Sequence, residues 1–229
     1  MTVTENTRLW RLSWALDGSL IGVGRTGHGK PLALTLQRVI PNRLGHGSEW
    51  DAQCRPEWIT QGPLDAPEGH PPGHPDCTCG IYAVEHLASL RLFINPGVTT
   101  HATVRRWYAT RRPGAEPPGL ALAGVTLENP HRSPIPQGDP RDTWKGTRGH
   151  VVGPIYTTAG KPTARKLAAR YKVEARHLSD DPLEMLDLAV ELVTGKPRRL
   201  QDSDRFWAAV GAAGDLRLAG VFPRGRDTR

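Results

Sequence analysis

Cys77-Thr78-Cys79-Gly80 closes a stretch rich in proline and histidine, and the one remaining cysteine, Cys54, stands upstream of it. Thiolate sulfur and neutral imidazole are the donors zinc prefers, so a closed tetrahedral Zn2+ site of three cysteines and one histidine would use every thiol in the chain. Cys77 and Cys79 are two residues apart. On an extended backbone both side chains therefore project to one face and can reach one ion together. His70 and His74 precede them, among Pro71, Pro72 and Pro75, which lower the entropy lost on ordering that loop. Either imidazole could be the fourth ligand, with His70 preferred. The competing interpretation makes the cysteines small buried hydrophobes and the histidines ordinary loop residues.

A second constellation is basic. Arg105, Arg106, Arg111 and Arg112 flank Trp107 and Tyr108, an interleaving of cations and aromatic faces that can hold phosphates and stack bases. Arg165, Lys166, Arg170 and Lys172 add a charged face further on. The formal charge of +7 is unevenly spread: residues 1–90 hold 7 Lys/Arg against 9 Asp/Glu, a net of −2, while residues 91–229 hold 23 against 14, a net of +9. Of the 30 basic residues 6 are Lys, which leaves 24 Arg, the side chain whose fork matches phosphate oxygens. DNA or RNA is the implied partner. The bland alternative points Trp107 and Tyr108 into a core and leaves the arginines to solvate an edge.

Signals for other chemistry are thin. The chain lacks a G-x-S-x-G elbow, a P-loop and an H-E-x-x-H pair, and Gly22-x-Gly24-x-x-Gly27 has no following helix to make it a dinucleotide site. Pro75-Asp76-Cys77-Thr78-Cys79 has the wrong cysteine spacing for a deaminase. Asp76 or Glu68 beside a zinc could still act as base, so a zinc-dependent hydrolase acting on a phosphate or amide substrate is the alternative function. A non-catalytic protein-interaction adaptor is the third.

The elements that must position these groups are short. Leu9, Trp10, Leu12, Trp14 and Leu16, then Asp17-Gly18, then Leu20, Ile21 and Val23 predict a β-hairpin, with another strand around Leu32, Leu34 and Leu36. Prolines and glycines over 61–76 exclude helix and central strand. Ile81–Val84 predicts a strand, and Leu87 to Ile94 is ambiguous between helix and strand. His101–Thr110 alternates like a strand, with Leu120–Leu127 returning against it. Helices are predicted from Pro162, with Ala164, Leu167, Ala168 and Tyr171 buried, and from Asp181 to Gly195, with Leu186, Ala189, Val190 and Val193 buried. Ser203 could cap a third helix through Phe206, Trp207 and Val210, before a basic tail.

The order of Trp10 and Trp14, Trp50 with Cys54, His70 or His74 beside prolines, and Cys77-Thr78-Cys79-Gly80-Ile81-Tyr82-Ala83 resembles a set of uncharacterised actinobacterial and phage proteins. That resemblance implies no established activity. The glycine-led strand at Gly80, the arginine-rich segment and Gly119–Val125 are also similar in order to PUA-like barrels, many of which grip RNA or modified bases. The expected fold is α+β, with a mostly antiparallel, barrel-like sheet over residues 1–160, a zinc-stapled loop, and a C-terminal helical region over 161–229. An odd thiol count, the absence of about 18 consecutive apolar residues and an N-terminus unlike a secretory signal lead us to expect a cytoplasmic protein without a membrane partner.

Overall fold

Asp17 and Gly18 both take positive φ, 47° and 73°, the pair that matches a two-residue hairpin turn to the twist of its strands. The turn joins β1 (Leu9–Leu16) to β2 (Ser19–Gly22), as its flanking alternation predicts. This computed structural model describes residues 3–22, 49–51, 70, 74, 80–94, 104–106, 108–110, 112–132 and 140–196. The other strands are β3 (Glu49–Asp51), β4 (Ile81–Val84), β5 (Gly119–Glu128), β6 (His131–Arg132), β7 (Thr143–Gly146), β8 (Arg148–Thr157) and β9 (Ala175–His177). They form one sheet in the order β3-β8-β5-β1-β4-β7-β6, with β2 added on β1 and β9 on β8. Pairing is antiparallel throughout the described strands except between β8 and β9, which the Lys161–Tyr171 helix connects.

Thr147 alone separates β7 from β8 in sequence, yet β5, β1 and β4 stand between them in the sheet. The sheet must therefore curl until the end of β7 meets the start of β8. Gly146 permits the approach, because a Cβ there would lie 2.5 Å from the Glu128 carbonyl oxygen and 2.9 Å from Leu127 Cβ. The Thr147 N–H then donates to that same Glu128 carbonyl at 3.1 Å. Curled as it is, the sheet stays open, with β3 and β6 at its ends, so the barrel-like closure expected from sequence is not completed. Closure needs a ladder between the edge strands, and these have only three and two residues.

Both faces of the sheet are packed. Leu9, Ala15, Ala121, Ala123 and Ile155 meet Leu167 and Tyr171 of the Lys161–Tyr171 helix. On the other face Trp10, Trp14, Leu122 and Tyr156 are covered by Leu87, Leu90 and Ile94 and by Met185, Leu186 and Ala189 of the Pro182–Thr194 helix. Leu87–Leu90 is a 3-10 turn leading into a helical turn over Arg91–Ile94, which resolves the ambiguity of that segment. Asp181 Oδ1 caps the Pro182–Thr194 helix, accepting from Leu183 N–H and Glu184 N–H at 2.9 Å each, and Gly195 ends it at φ 65°. Val193, expected on the buried side, is 41% exposed; Met185 takes its place because it shares a helix face with Pro182, Leu186 and Ala189.

The larger correction concerns the arginine-rich segment. Residues 104–106 and 108–110 are helical rather than a strand, with Val104 and Tyr108, four apart, both buried. Leu120–Leu127 consequently pairs with β1 and β8 instead of with that segment. The strand expected around Leu32, the helix expected from Ser203 and the basic tail lie outside the described residues. Among those described, no helix is long and apolar enough to cross a membrane.

Candidate functional site

The sheet register brings the flanks of the predicted metal ligands to one corner. Ile81, first in β4, pairs with Gly146, while Asp51, last in β3, pairs with Arg148, two residues further along the same chain. Both antiparallel partners run off their ends toward Thr147. Cys79 is two residues before Ile81 and Cys54 three after Asp51 in the sequence. Cys54, Cys77 and Cys79 themselves lie outside the described residues. Among the described residues alone, no group of three or more His, Cys, Asp or Glu side chains is placed to hold a metal ion.

The two histidines are described, and they are neighbours. Their ring centroids are 5.1 Å apart with planes inclined at 50°, and both rings are half-buried. Lys145 ties this loop to the corner: its Nζ donates to the His74 carbonyl at 2.6 Å from the position next to Gly146. Three further polar side chains gather on the β5 to β8 side. His150 Nε2 lies 2.8 Å from Glu128 Oε1, and Arg148 Nη1 lies 3.6 Å from the same oxygen. Sequence reasoning singled out none of Lys145, Glu128 or His150, because their convergence depends on pairing between distant strands.

The predicted basic residues separate into two kinds. Lys166 Nζ binds Asp17 Oδ1 at 2.6 Å and Arg170 Nη1 donates to Ser19 Oγ at 2.5 Å, so both fasten their helix to the β1–β2 hairpin. The hydrogen bond to Lys166 and its charge hold the Asp17 carboxyl below the ordinary carboxylate range, and Asp17 raises Lys166 in turn. Arg165 is exposed on the same helix. Arg105 Nη1 reaches the Thr158 carbonyl at 3.4 Å, Arg106 is exposed, and Arg112 sits 5.8 Å over the buried Tyr108 ring. Trp107 and Arg111 lie outside the described residues. Tyr108 is therefore a core residue with an arginine on its face, not a free base-stacking platform.

Inside the curl, Arg11 Nη1 donates to the Tyr82 carbonyl at 2.5 Å, and burial lowers its guanidinium pKa to about 10. Compared with family models, curated proteins and solved structures, this chain finds no match.

Proposed function

We propose that this protein binds DNA or RNA through a basic rim, and that a Zn2+ ion held by Cys54, Cys77, Cys79 and either His70 or His74 clips the opposite end of its sheet. The observation that carries the nucleic-acid proposal is the contact of Arg105 with Thr158. It sets Arg105, from the segment that also carries Arg106 and Arg112, beside Thr158, three residues before the helix that carries Lys161 and Arg165. Guanidinium and ammonium groups distributed along such a rim suit the phosphate backbone, whichever bases it carries. Lys166 and Arg170 serve mainly to hold that helix in place.

Donor chemistry and register support the metal. Three soft sulfurs with one imidazole fit tetrahedral zinc, and a closed set of protein ligands makes the ion a cross-link. Thr157 and Arg148, at opposite ends of β8, pair with Ala121 and Glu128 of β5, seven residues apart and so about 23 Å at a rise of ~3.3 Å per residue, which would set the ion apart from the rim. Binding measured on single- and double-stranded DNA and RNA across a salt series tests the rim. A linear fall of log K with log salt is expected, and weak, salt-insensitive binding to all four contradicts it.

The hydrolase alternative draws on His150 and Glu128, 2.8 Å apart at the same corner. In that case the ion would keep a water in place of one protein ligand, and ligand count separates the two.

A further inference from the structure

We infer that Glu116 is the positioning residue that fastens the turn carrying Arg112 to the start of the Lys161–Tyr171 helix, so that the basic groups of both present one face to phosphate; this rests on the nucleic-acid proposal above. Thr163 Oγ1 donates to Glu116 Oε2 at 2.7 Å, and Thr163 is buried in the first turn of that helix. Gly160, just before the helix, makes room for the carboxylate: a Cβ there would lie 2.5 Å from Glu116 Oε1. Negative charge is also favourable at a helix N-terminus.

The contact is one of a series that joins these two stretches. Gly119 runs so close to Ala159 that an added Cβ would lie 2.2 Å from the Ala159 nitrogen, and Leu120 N–H donates to Thr158 Oγ1 at 2.8 Å. Pro117 and Pro118 stiffen the chain between those contacts and Glu116. On its other side the Ala115 N–H donates to the Arg112 carbonyl at 3.1 Å, a turn that holds the exposed Arg112 four residues from the tie. Lys161 and Arg165, both exposed, stand two residues to either side of Thr163. Glu116 is thus an acid among bases. Its charge opposes a polyanion, so what it contributes to binding is the hydrogen bond that sets Arg112 against the helix.

The test measures binding of the full-length protein to single- and double-stranded DNA and RNA across a salt series, with thermal melts, for the parent, Glu116→Gln, Glu116→Ala, Thr163→Val and the double variant Glu116→Ala with Thr163→Val. Gln and Ala both remove the charge, but only Gln keeps an acceptor for Thr163 Oγ1, so their ratio isolates the tie. Glu116→Ala should bind about tenfold more weakly than Glu116→Gln, with a salt slope smaller by about 1 as one phosphate contact is lost. Thr163→Val should weaken the parent by a similar factor and add nothing to Glu116→Ala. Glu116→Gln should melt below the parent yet bind at least as tightly, a divergence that a merely structural role does not produce. Should Thr163→Val not fold, Gly160→Ala, whose Cβ would press on the end of the Glu116 side chain, displaces the same carboxylate. Affinities of Glu116→Gln and Glu116→Ala within about twofold of each other overturn the positioning role and leave the nucleic-acid proposal standing. A parent that binds all four only weakly and without salt dependence overturns both.

Discussion

The two ends of β8 are held by different means. At the Thr157 end neutral hydrogen bonds suffice: Thr157 Oγ1 donates to the Leu120 carbonyl at 2.8 Å, Leu120 N–H donates to Thr158 Oγ1 at 2.8 Å, and Ala159 N–H to Thr157 Oγ1 at 3.0 Å. A helix follows at once and packs Leu167 and Tyr171 into the core. At the Arg148 end β8 pairs with Thr126–Glu128 of β5 on one side and with the three-residue β3 on the other, and ionisable side chains, Glu128, Arg148 and His150, gather there. The proposed zinc cross-link belongs to that end. A cross-link is of most use where backbone pairing is sparse, whereas exposed arginines do best beside a frame that is already rigid.

This contrast predicts a double dissociation, and the largest effect belongs to the corner. Stripping zinc with a chelator, or Cys54→Ser, should lower stability by several kcal/mol, out of ~10 kcal/mol typical of structural zinc, as read from thermal melts. Nucleic-acid binding below the new Tm should keep its salt slope. Gly146→Ala should follow at about 3 kcal/mol, because the obstructing Glu128 carbonyl is backbone and cannot step aside. Urea unfolding measures it, and a loss below half that figure would mean the corner is looser than its geometry.

At the other end, replacing Arg105, Arg112 and Arg165 together by Ala should lower the slope of log K against log salt by about 1 for each phosphate that is no longer neutralised. Stability should change by no more than about 0.5 kcal/mol at each of the exposed Arg112 and Arg165, and by about 1 kcal/mol at the part-buried Arg105, which loses its hydrogen bond to Thr158. A triple variant that loses zinc instead would merge the two regions into one. The smallest effect is Asp17→Asn. Because Asp17 is depressed by Lys166, its pairing contributes stability above the unfolded carboxylate pKa and loses it as pH falls through the lower folded value. Melts across the acid range should show that limb in the parent and not in the variant, and salt should shrink the difference.

Local chemistry was legible in the sequence. Asp17-Gly18, the Asp181 cap and, with Thr163 buried in place of the half-buried Ala168, the stripe of the Lys161–Tyr171 helix depend on residues within a turn or two of each other, and the structure repeats them. Residues 104–110 were misjudged although a signal was present: Val104 and Tyr108 stand at helical spacing, but an aromatic pair beside arginines also mimics strand alternation. The three-residue β3 and two-residue β6 carry no local signature, since only pairing with β8 and β7 makes them strands. Lys145 was least legible of all, because a lone lysine between Trp144 and Gly146 reads as solvent-facing until the strand order buries it.

X-ray absorption at the zinc edge of the purified full-length protein tests the central claim most directly. One zinc per chain, with three sulfur neighbours at about 2.3 Å and one nitrogen at about 2.0 Å, is the predicted result. Absence of zinc, or a shell of nitrogen and oxygen alone, would contradict the proposal that Cys54 and the Cys77–Cys79 pair meet on one ion at the β7–β8 corner.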